Sequence, residues 1–96
     1  MKTIKQVPVE LVELKEGEYI PEKDKMEFGK IYYSKEFKGS NHLCLCGCGH
    51  QCFLPIKEGE WSLTNNKGKV SISPSILQRF ECRSHYIIIN GKANFV

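Results

Sequence analysis

Cysteine is the residue type whose spacing in this sequence most clearly indicates chemistry. Four of the five cysteines fall within nine residues, and the fifth precedes a histidine by three positions. An odd number of crowded cysteines fits disulfide bonds poorly, because half-cystines one residue apart on a strand lack the required Cβ geometry. Two groups of sulfur and nitrogen ligands separated by about 30 residues favour one tetrahedral zinc site. The candidate ligands are Cys44, Cys46, Cys48, Cys82 and His85.

Five candidates for four positions leave the exact ligand set open. Cys46 and Cys48 form the preferred first pair, because a glycine follows each of them and can turn the backbone tightly around an ion. The second pair consists of Cys82 and the histidine that follows it. Cys44 either replaces one of the first pair or is a small buried side chain. For Cys52 we predict a buried position in an apolar strand.

Other polar side chains near the cysteines are candidates for catalysis. His42 and Glu81 are possible general acids or bases, and Ser75 and Ser84 are nucleophiles only where a base approaches them. Each also has a structural interpretation. His42 would be exposed or cap a strand, and Glu81 would be a solvated surface carboxylate. The Ser75 hydroxyl would satisfy backbone groups, and the Ser84 hydroxyl would support a ligating thiolate. The sequence therefore assigns no catalytic residue and leaves open whether the protein is an enzyme.

The elements that position these residues are predicted to be strands. Short apolar segments bounded by turn residues indicate hairpins that join residues 61–64 to 69–72 and residues 86–89 to 93–96. The second hairpin is the stronger prediction, because an Asn-Gly dipeptide is the best signal for a two-residue turn. Only residues 74–80, with a proline at the start, suggest a single helical turn. We predict a mainly β domain: a small antiparallel sheet built around the zinc site, with little helix.

The first ligands would lie at the glycine turn between strands at 42–46 and 52–56, and the last ligands just before the final hairpin. The chain has 96 residues, of which 41% are hydrophobic and 10% aromatic, enough for one domain over residues 1–96 and too apolar for a disordered chain. A core of this size gives a thin stability margin, so a metal cross-link would contribute much of the stability.

Charge and hydropathy narrow the class of partner. The net charge is +3, the excess lies in residues 41–96, and only two of the fourteen basic residues are arginines. Such a weak basic excess does not favour a nucleic-acid partner. The apolar runs are far shorter than the roughly 20 residues of a spanning helix, and no signal peptide is recognisable. We therefore expect a cytoplasmic protein without a membrane partner.

Four motifs in the same order resemble one known family. They are residues 42–49 (HLCLCGCG), 61–64 (WSLT), 73–76 (SPSI) and 82–86 (CRSHY). This pattern is similar to the bacterial and phage domain-of-unknown-function family six-five-two-seven, and the similarity covers most of residues 20–96. Members of that family are often encoded beside ubiquitin-like proteins and their conjugating enzymes. The resemblance implies a protein partner, either a ubiquitin-like modifier or its conjugating machinery.

Two functions are compatible with these observations. The first, which we favour because the chain offers more than four ligands, is a zinc-stabilised accessory protein that binds its partner through an exposed sheet edge or aromatic residues. The second is a zinc-dependent hydrolase that processes or removes a ubiquitin-like protein at an open coordination position.

Overall fold

Strands make up nearly all the regular structure of the protein. The computed structural model describes residues 6–78 and 81–96. Its strands are β1 (Gln6–Pro8), β2 (Glu10–Leu14), β3 (Lys30–Ser34), β4 (Gly39–Leu43), β5 (Gln51–Pro55), β6 (Ser62–Asn66), β7 (Lys69–Leu77), β8 (His85–Ile89) and β9 (Lys92–Phe95). A 3-10 turn at Lys23–Lys25 is the helical element of this described part. The predicted mainly β fold with little helix is confirmed.

The strands form two sheets rather than one. The five-stranded sheet has the order β1-β9-β8-β7-β6, and the four-stranded sheet has the order β2-β3-β4-β5. All pairs are antiparallel except β2 and β3. The chain passes from one sheet to the other at Val9, whose N–H donates to the carbonyl of Gly91 at 2.9 Å. No helix in the described ranges is long and apolar enough to cross a membrane.

The inner faces of the two sheets pack against each other to form one core. Ile31 and Leu54 come from the four-stranded sheet, and Ile72, Tyr86 and Ile88 come from the five-stranded sheet. Burial alternates along β5 and β8, as expected for strands with one face toward a core and one toward solvent. The hydrophobic effect on these facing side chains therefore holds the sheets together.

Both predicted hairpins are present. Lys67 and Gly68 connect β6 to β7, and Asn90 and Gly91 connect β8 to β9, with positive φ at each of these four residues. Positive φ at both central residues defines the type I′ turn, whose twist matches that of the flanking strands. The local turn chemistry thus fixes the register of these two hairpins.

Two local predictions were wrong. Residues 74–77 belong to β7 rather than to a helical turn, and residues 79 and 80 of that prediction lie outside the described residues. The strand expected over 42–46 ends at Leu43, so Cys44 begins the loop. In the first case pairing with β8 overrides the helix-start signal of Pro74, because tertiary pairing is worth more than a single-residue propensity.

A bulge interrupts β7 where it pairs with β8. Between the Ile72–Ile88 and Ile76–Tyr86 pairs, three residues of β7 lie opposite one residue of β8. The inserted stretch contains the cis peptide bond between Ser73 and Pro74, and Ser75 follows directly. A bulge bends its strand and redirects the side chains around it. The direction of Ser75 is therefore set by this irregularity.

A buried polar contact joins the sheets near their centre. His42 of β4 is fully buried, and its Nε2 lies 2.7 Å from the hydroxyl of Tyr86 on β8. The side-chain amide of Gln78 donates to the same hydroxyl at 2.7 Å. The sequence suggests an exposed or strand-capping histidine at this position, and the structure shows a buried one instead. Burial lowers the pKa of His42 to about 4, because desolvation disfavours the charged imidazolium.

We predict that His42 makes the fold sensitive to acid. An unfolded histidine has a pKa of about 6.5, so this depressed folded pKa adds stability above pH 6.5 that is lost as the pH falls toward 4. Between pH 7 and 5 the loss should be about 2 kcal/mol. Denaturant unfolding of the wild type and of His42→Gln at both pH values measures it, because pH effects common to both proteins cancel. Equal pH dependence in the two proteins would refute this role.

Candidate metal centre and serine–histidine pair

Four of the five predicted ligands converge at one point. The Sγ atoms of Cys44, Cys46, Cys48 and Cys82 all lie within 4.8 Å of one another, a grouping that could hold a metal ion. In a tetrahedral site with Zn–S bonds of about 2.3 Å, neighbouring sulfurs are about 3.8 Å apart. The Cys44 Sγ lies 3.5 Å from Cys46 Sγ and 3.8 Å from Cys82 Sγ, so these spacings fit such a site.

The glycine-rich loop between β4 and β5 supplies three of the thiols. The N–H of Gly47 donates to the carbonyl of Cys44 at 3.1 Å, and the N–H of Cys44 donates to the carbonyl of His50 at 2.8 Å. Gly47 and Gly49 have φ values of 94° and 87°, which glycine adopts without steric cost. Alternating cysteine and glycine therefore lets three side chains turn toward one point within five residues.

Burial and hydrogen bonding shift the pKa values of two of these thiols in opposite directions. Burial raises the pKa of Cys44 to about 12. Hydrogen bonds from Ser84 lower the pKa of Cys82 to about 6, and the Ser84 hydroxyl lies 3.5 Å from its sulfur and 3.2 Å from that of Cys44. A buried thiol loses its proton readily only beside a positive charge, which a metal ion would provide. The donor set therefore fits a thiophilic metal, and Ser84 supports two of its members.

His85 and Cys52 lie outside this group. The Nε2 atom of His85 is 2.7 Å from the hydroxyl of Ser75, and its ring is not among the converging ligand atoms. Cys52 of β5 is 5% exposed and packs in the core, which confirms the buried position predicted for it. The spacing from Cys82 to His85 resembles a ligand pair, but β8 begins at His85 and directs its side chain toward β7.

Ser75 and His85 form a nucleophile–base pair at hydrogen-bond distance. Ser75 is half-buried in the bulge of β7, and His85 is half-buried at the start of β8. A separation of 2.7 Å between a hydroxyl and an imidazole nitrogen allows the imidazole to remove the hydroxyl proton. Within residues 6–78 and 81–96, no carboxylate hydrogen-bonds to His85, so this part of the chain provides a dyad.

Main-chain hydrogen bonds on both sides hold the histidine in place. The N–H of Val96 donates to the carbonyl of His85, and the N–H of Gln78 donates to the carbonyl of Ser84, both at 2.9 Å. Cys82 lies three residues earlier and belongs to the thiol group. The segment from Cys82 to His85 therefore connects the candidate metal centre directly to the base of the pair.

The pairing of Ser75 with His85 is the feature that sequence reasoning missed. The sequence makes Ser75 a candidate nucleophile only where a base approaches it, and it makes His85 a candidate metal ligand. The remaining candidates are elsewhere: His42 is in the core, Glu81 is exposed, and Ser84 contacts the thiols. A usable signal was the proline of the Ser-Pro-Ser sequence, because a proline inside a strand marks an edge or a bulge.

Comparison with protein families adds an independent result. The family model of BubE, described as "Bacterial ubiquitination-like system serine protease", matches residues 17–96. No curated protein and no solved structure was found to match the chain. Since the family match covers most of the sequence, the chain belongs to the BubE family and is linked to bacterial ubiquitination-like systems.

Proposed function

We propose that the protein is a serine protease that cleaves the bond following the carboxyl end of a ubiquitin-like modifier. The observation that carries this proposal is the 2.7 Å contact between the Ser75 hydroxyl and His85 Nε2. The family description supplies the modifier system and the reaction class. The modifier, attached through its terminal carbonyl to another protein, is the substrate in this proposal and thus the protein partner.

The pair would act by acyl transfer. The Ser75 oxygen attacks the carbonyl carbon of the scissile bond while His85 Nε2 accepts the hydroxyl proton. The tetrahedral intermediate then expels the leaving amine, which receives that proton, and an ester forms between the modifier and Ser75. Water, deprotonated by His85, attacks the ester and releases the modifier with a free carboxylate and the serine with its proton.

The sulfur ligands would hold a zinc ion with a structural role. Cys44, Cys46, Cys48 and Cys82 complete a four-coordinate set, and structural zinc sites are closed in this way, whereas catalytic sites keep a position for water. Bound zinc supplies a cross-link between the loop after β4 and the segment before His85. Four thiols in one group therefore favour the serine mechanism over a zinc-dependent hydrolase. Free thiols of this kind persist in the cytoplasm, where we place the protein.

A non-catalytic accessory role is the alternative that the same family link permits. An accessory protein would bind the modifier or its conjugating enzymes through an exposed sheet edge. The hydrogen bond between Ser75 and His85 favours the protease, because an accessory protein has no need of a nucleophile beside a base. Cleavage assays separate the two, since both functions include binding.

We predict that Ser75→Ala lowers cleavage about 1,000-fold or more, because the nucleophile is lost. The assay is release of the modifier from a fusion in which an amide bond follows its terminal residue, and His85→Gln should have a similar effect. Ser73→Ala is the matched control, since Ser73 is an exposed serine on the same strand whose hydroxyl lies 3.5 Å from that of Ser62.

A fluorophosphonate probe extends this test. It should label wild-type protein at Ser75 and leave Ser75→Ala unlabelled. Labelling at another serine, or equal cleavage by Ser75→Ala and Ser73→Ala, would exclude Ser75 as the nucleophile. Binding of the modifier without cleavage by wild-type protein would support the accessory role instead.

We predict one zinc ion per chain, held by the four thiols. Removal by a chelator should unfold the protein, because structural zinc contributes an apparent stabilisation of about 10 kcal/mol or more, as much as a small domain possesses. Elemental analysis and circular dichroism measure the two effects. Cys44→Ser and Cys82→Ser should lose zinc and structure, while Cys52→Ala, a buried cysteine outside the group, should keep both.

His85→Gln distinguishes the two possible ligand sets. With four sulfur ligands this variant retains one zinc ion and its fold while cleavage is lost. Loss of zinc from His85→Gln would return the histidine to the ligand set and contradict the dyad.

A further inference from the structure

We infer that the substrate segment next to the scissile bond binds in a slot between β5 and β7, as an extended chain with small, uncharged side chains. This inference rests on the proposed protease function and adds the place and manner of substrate binding. The slot is a surface groove of about 190 Å³. It is lined by Cys52, Phe53 and Leu54 of β5, by Trp61, by Ile76 and Leu77 of β7, and by Gln78 just after β7.

The first wall of the slot is an unpaired edge of β7. The N–H of Gln78 points toward β8, where it donates to Ser84. Successive main-chain groups on a strand point in opposite directions, so the N–H and carbonyl of Leu77 point away from β8. On that side β6 pairs with β7 only as far as Ser62 and Ser73. The β7 edge beyond this pair can therefore accept another extended chain.

The second wall is the outer edge of β5, which in the described part of the chain pairs with β4 alone. The register pairs Phe53 with Asn41, and the N–H of Ile56 donates to Lys38 on the β4 side. By the same alternation, the main-chain groups of Phe53 point into the slot. The carbonyl of Pro55, two residues on, already accepts the N–H of Trp61 at 3.1 Å. Trp61 thus ends the slot between the two edges.

Ser75 lies on β7 directly before the residues that line the slot. Ser75 comes two residues after Ser73, the last β7 residue paired with β6, and one residue before Ile76, the first residue of the lining. In this inference, a chain that extends along the β7 edge past Ile76 reaches the main chain of Ser75, whose hydroxyl is hydrogen-bonded to His85. The open strand edge continues directly into the residue that carries the nucleophile, and an extended peptide strand is the ligand that such an edge binds.

The residues that line the slot restrict the charge and size of the side chains that a bound peptide can carry. Every lining residue is uncharged, and two of them are apolar side chains more than half exposed, Phe53 at 57% and Leu77 at 58%. The slot is smaller than the roughly 300–1,000 Å³ of ordinary ligand pockets, so large side chains do not fit. An uncharged, extended segment of small residues satisfies the open main-chain groups and covers the two apolar side chains.

The test compares two reagents that react with the same serine. A plain alkyl fluorophosphonate reports on the dyad alone, and an acetyl-Ala-Ala-Ala diphenyl phosphonate also needs the slot. Labelling rates are measured for wild-type protein, Phe53→Glu and Leu77→Glu. Phe37→Glu is the matched control for the first variant, because Phe37 is 54% exposed outside the slot, and Ile89→Glu, at 47% exposure, is the control for the second.

We expect Phe53→Glu to slow the peptide phosphonate at least tenfold and to leave the plain reagent within twofold of wild type, because a charge in the slot opposes binding. Leu77 is the cross-strand partner of His85, so Leu77→Glu is judged by the ratio of its two labelling rates, which should fall at least tenfold. Both controls should match wild type with both reagents. Replacing two alanines of the peptide with phenylalanine should slow labelling of wild-type protein. Equal peptide rates in slot variants and controls, or no loss with phenylalanine, would overturn the inference.

The experiment gives different results if the substrate-binding slot is wrongly assigned and if the protease function itself is wrong. If the plain reagent labels Ser75 and the slot variants have no effect on the peptide reagent, the nucleophile stands and the slot is refuted. If the plain reagent does not label Ser75 in wild-type protein, the protease proposal itself fails. Concentration-dependent dimerisation that Leu77→Glu abolishes would assign the slot to a second copy of the chain and would also overturn the inference.

Discussion

The convergence of four thiols is the constraint on which the rest of this structure depends. Three thiols come from the loop after β4 in one sheet, and the fourth comes from the segment before β8 in the other. A single ion at this point would therefore join the two sheets as well as two distant parts of the chain. The contact between His42 and Tyr86 joins the same pair of strands inside the core. A metal ion among the thiols and this buried contact would thus fix the same relation between the sheets from two positions.

Side chains alternate in direction along β8, so neighbouring residues of this strand make different contacts. Tyr86 points into the core toward His42, while His85 points outward to Ser75. Cys82 and Ser84, just before the strand, belong to or contact the thiol group. Five consecutive residues therefore include a candidate metal ligand, the hydroxyl that contacts it, the base of the proposed dyad and a residue of the core. A displacement of this segment would alter all of them together, so a metal ion bound by the thiols would be physically connected to the proposed dyad without touching it.

The sequence predicted features that depend on local chemistry and missed one that depends on long-range pairing. The Asn90-Gly91 turn and the glycines of the cysteine loop were predictable, because positive φ requires particular residues at particular positions. The convergence of Cys82 with Cys44 was predictable from ligand chemistry. The position of His85 was not, because Cys-x-x-His spacing also describes a metal pair. The contact of His85 with Ser75 depends on a three-against-one bulge in β7, and the register of a bulge is set by the neighbouring strand.

The same bulge explains why an open strand edge is tolerable here. Exposed edges usually invite pairing with other folded proteins, and proteins keep them short or cover them. Beyond the Ser62–Ser73 pair, the free edge of β7 is only a few residues long and faces β5 across a narrow slot that ends at Trp61. The edge of a folded sheet is too broad to enter such a slot, whereas a single extended segment has the right thickness. The geometry that protects the protein from aggregation would thus also admit a single extended segment, the form that the proposed cleavage at Ser75 requires of its substrate.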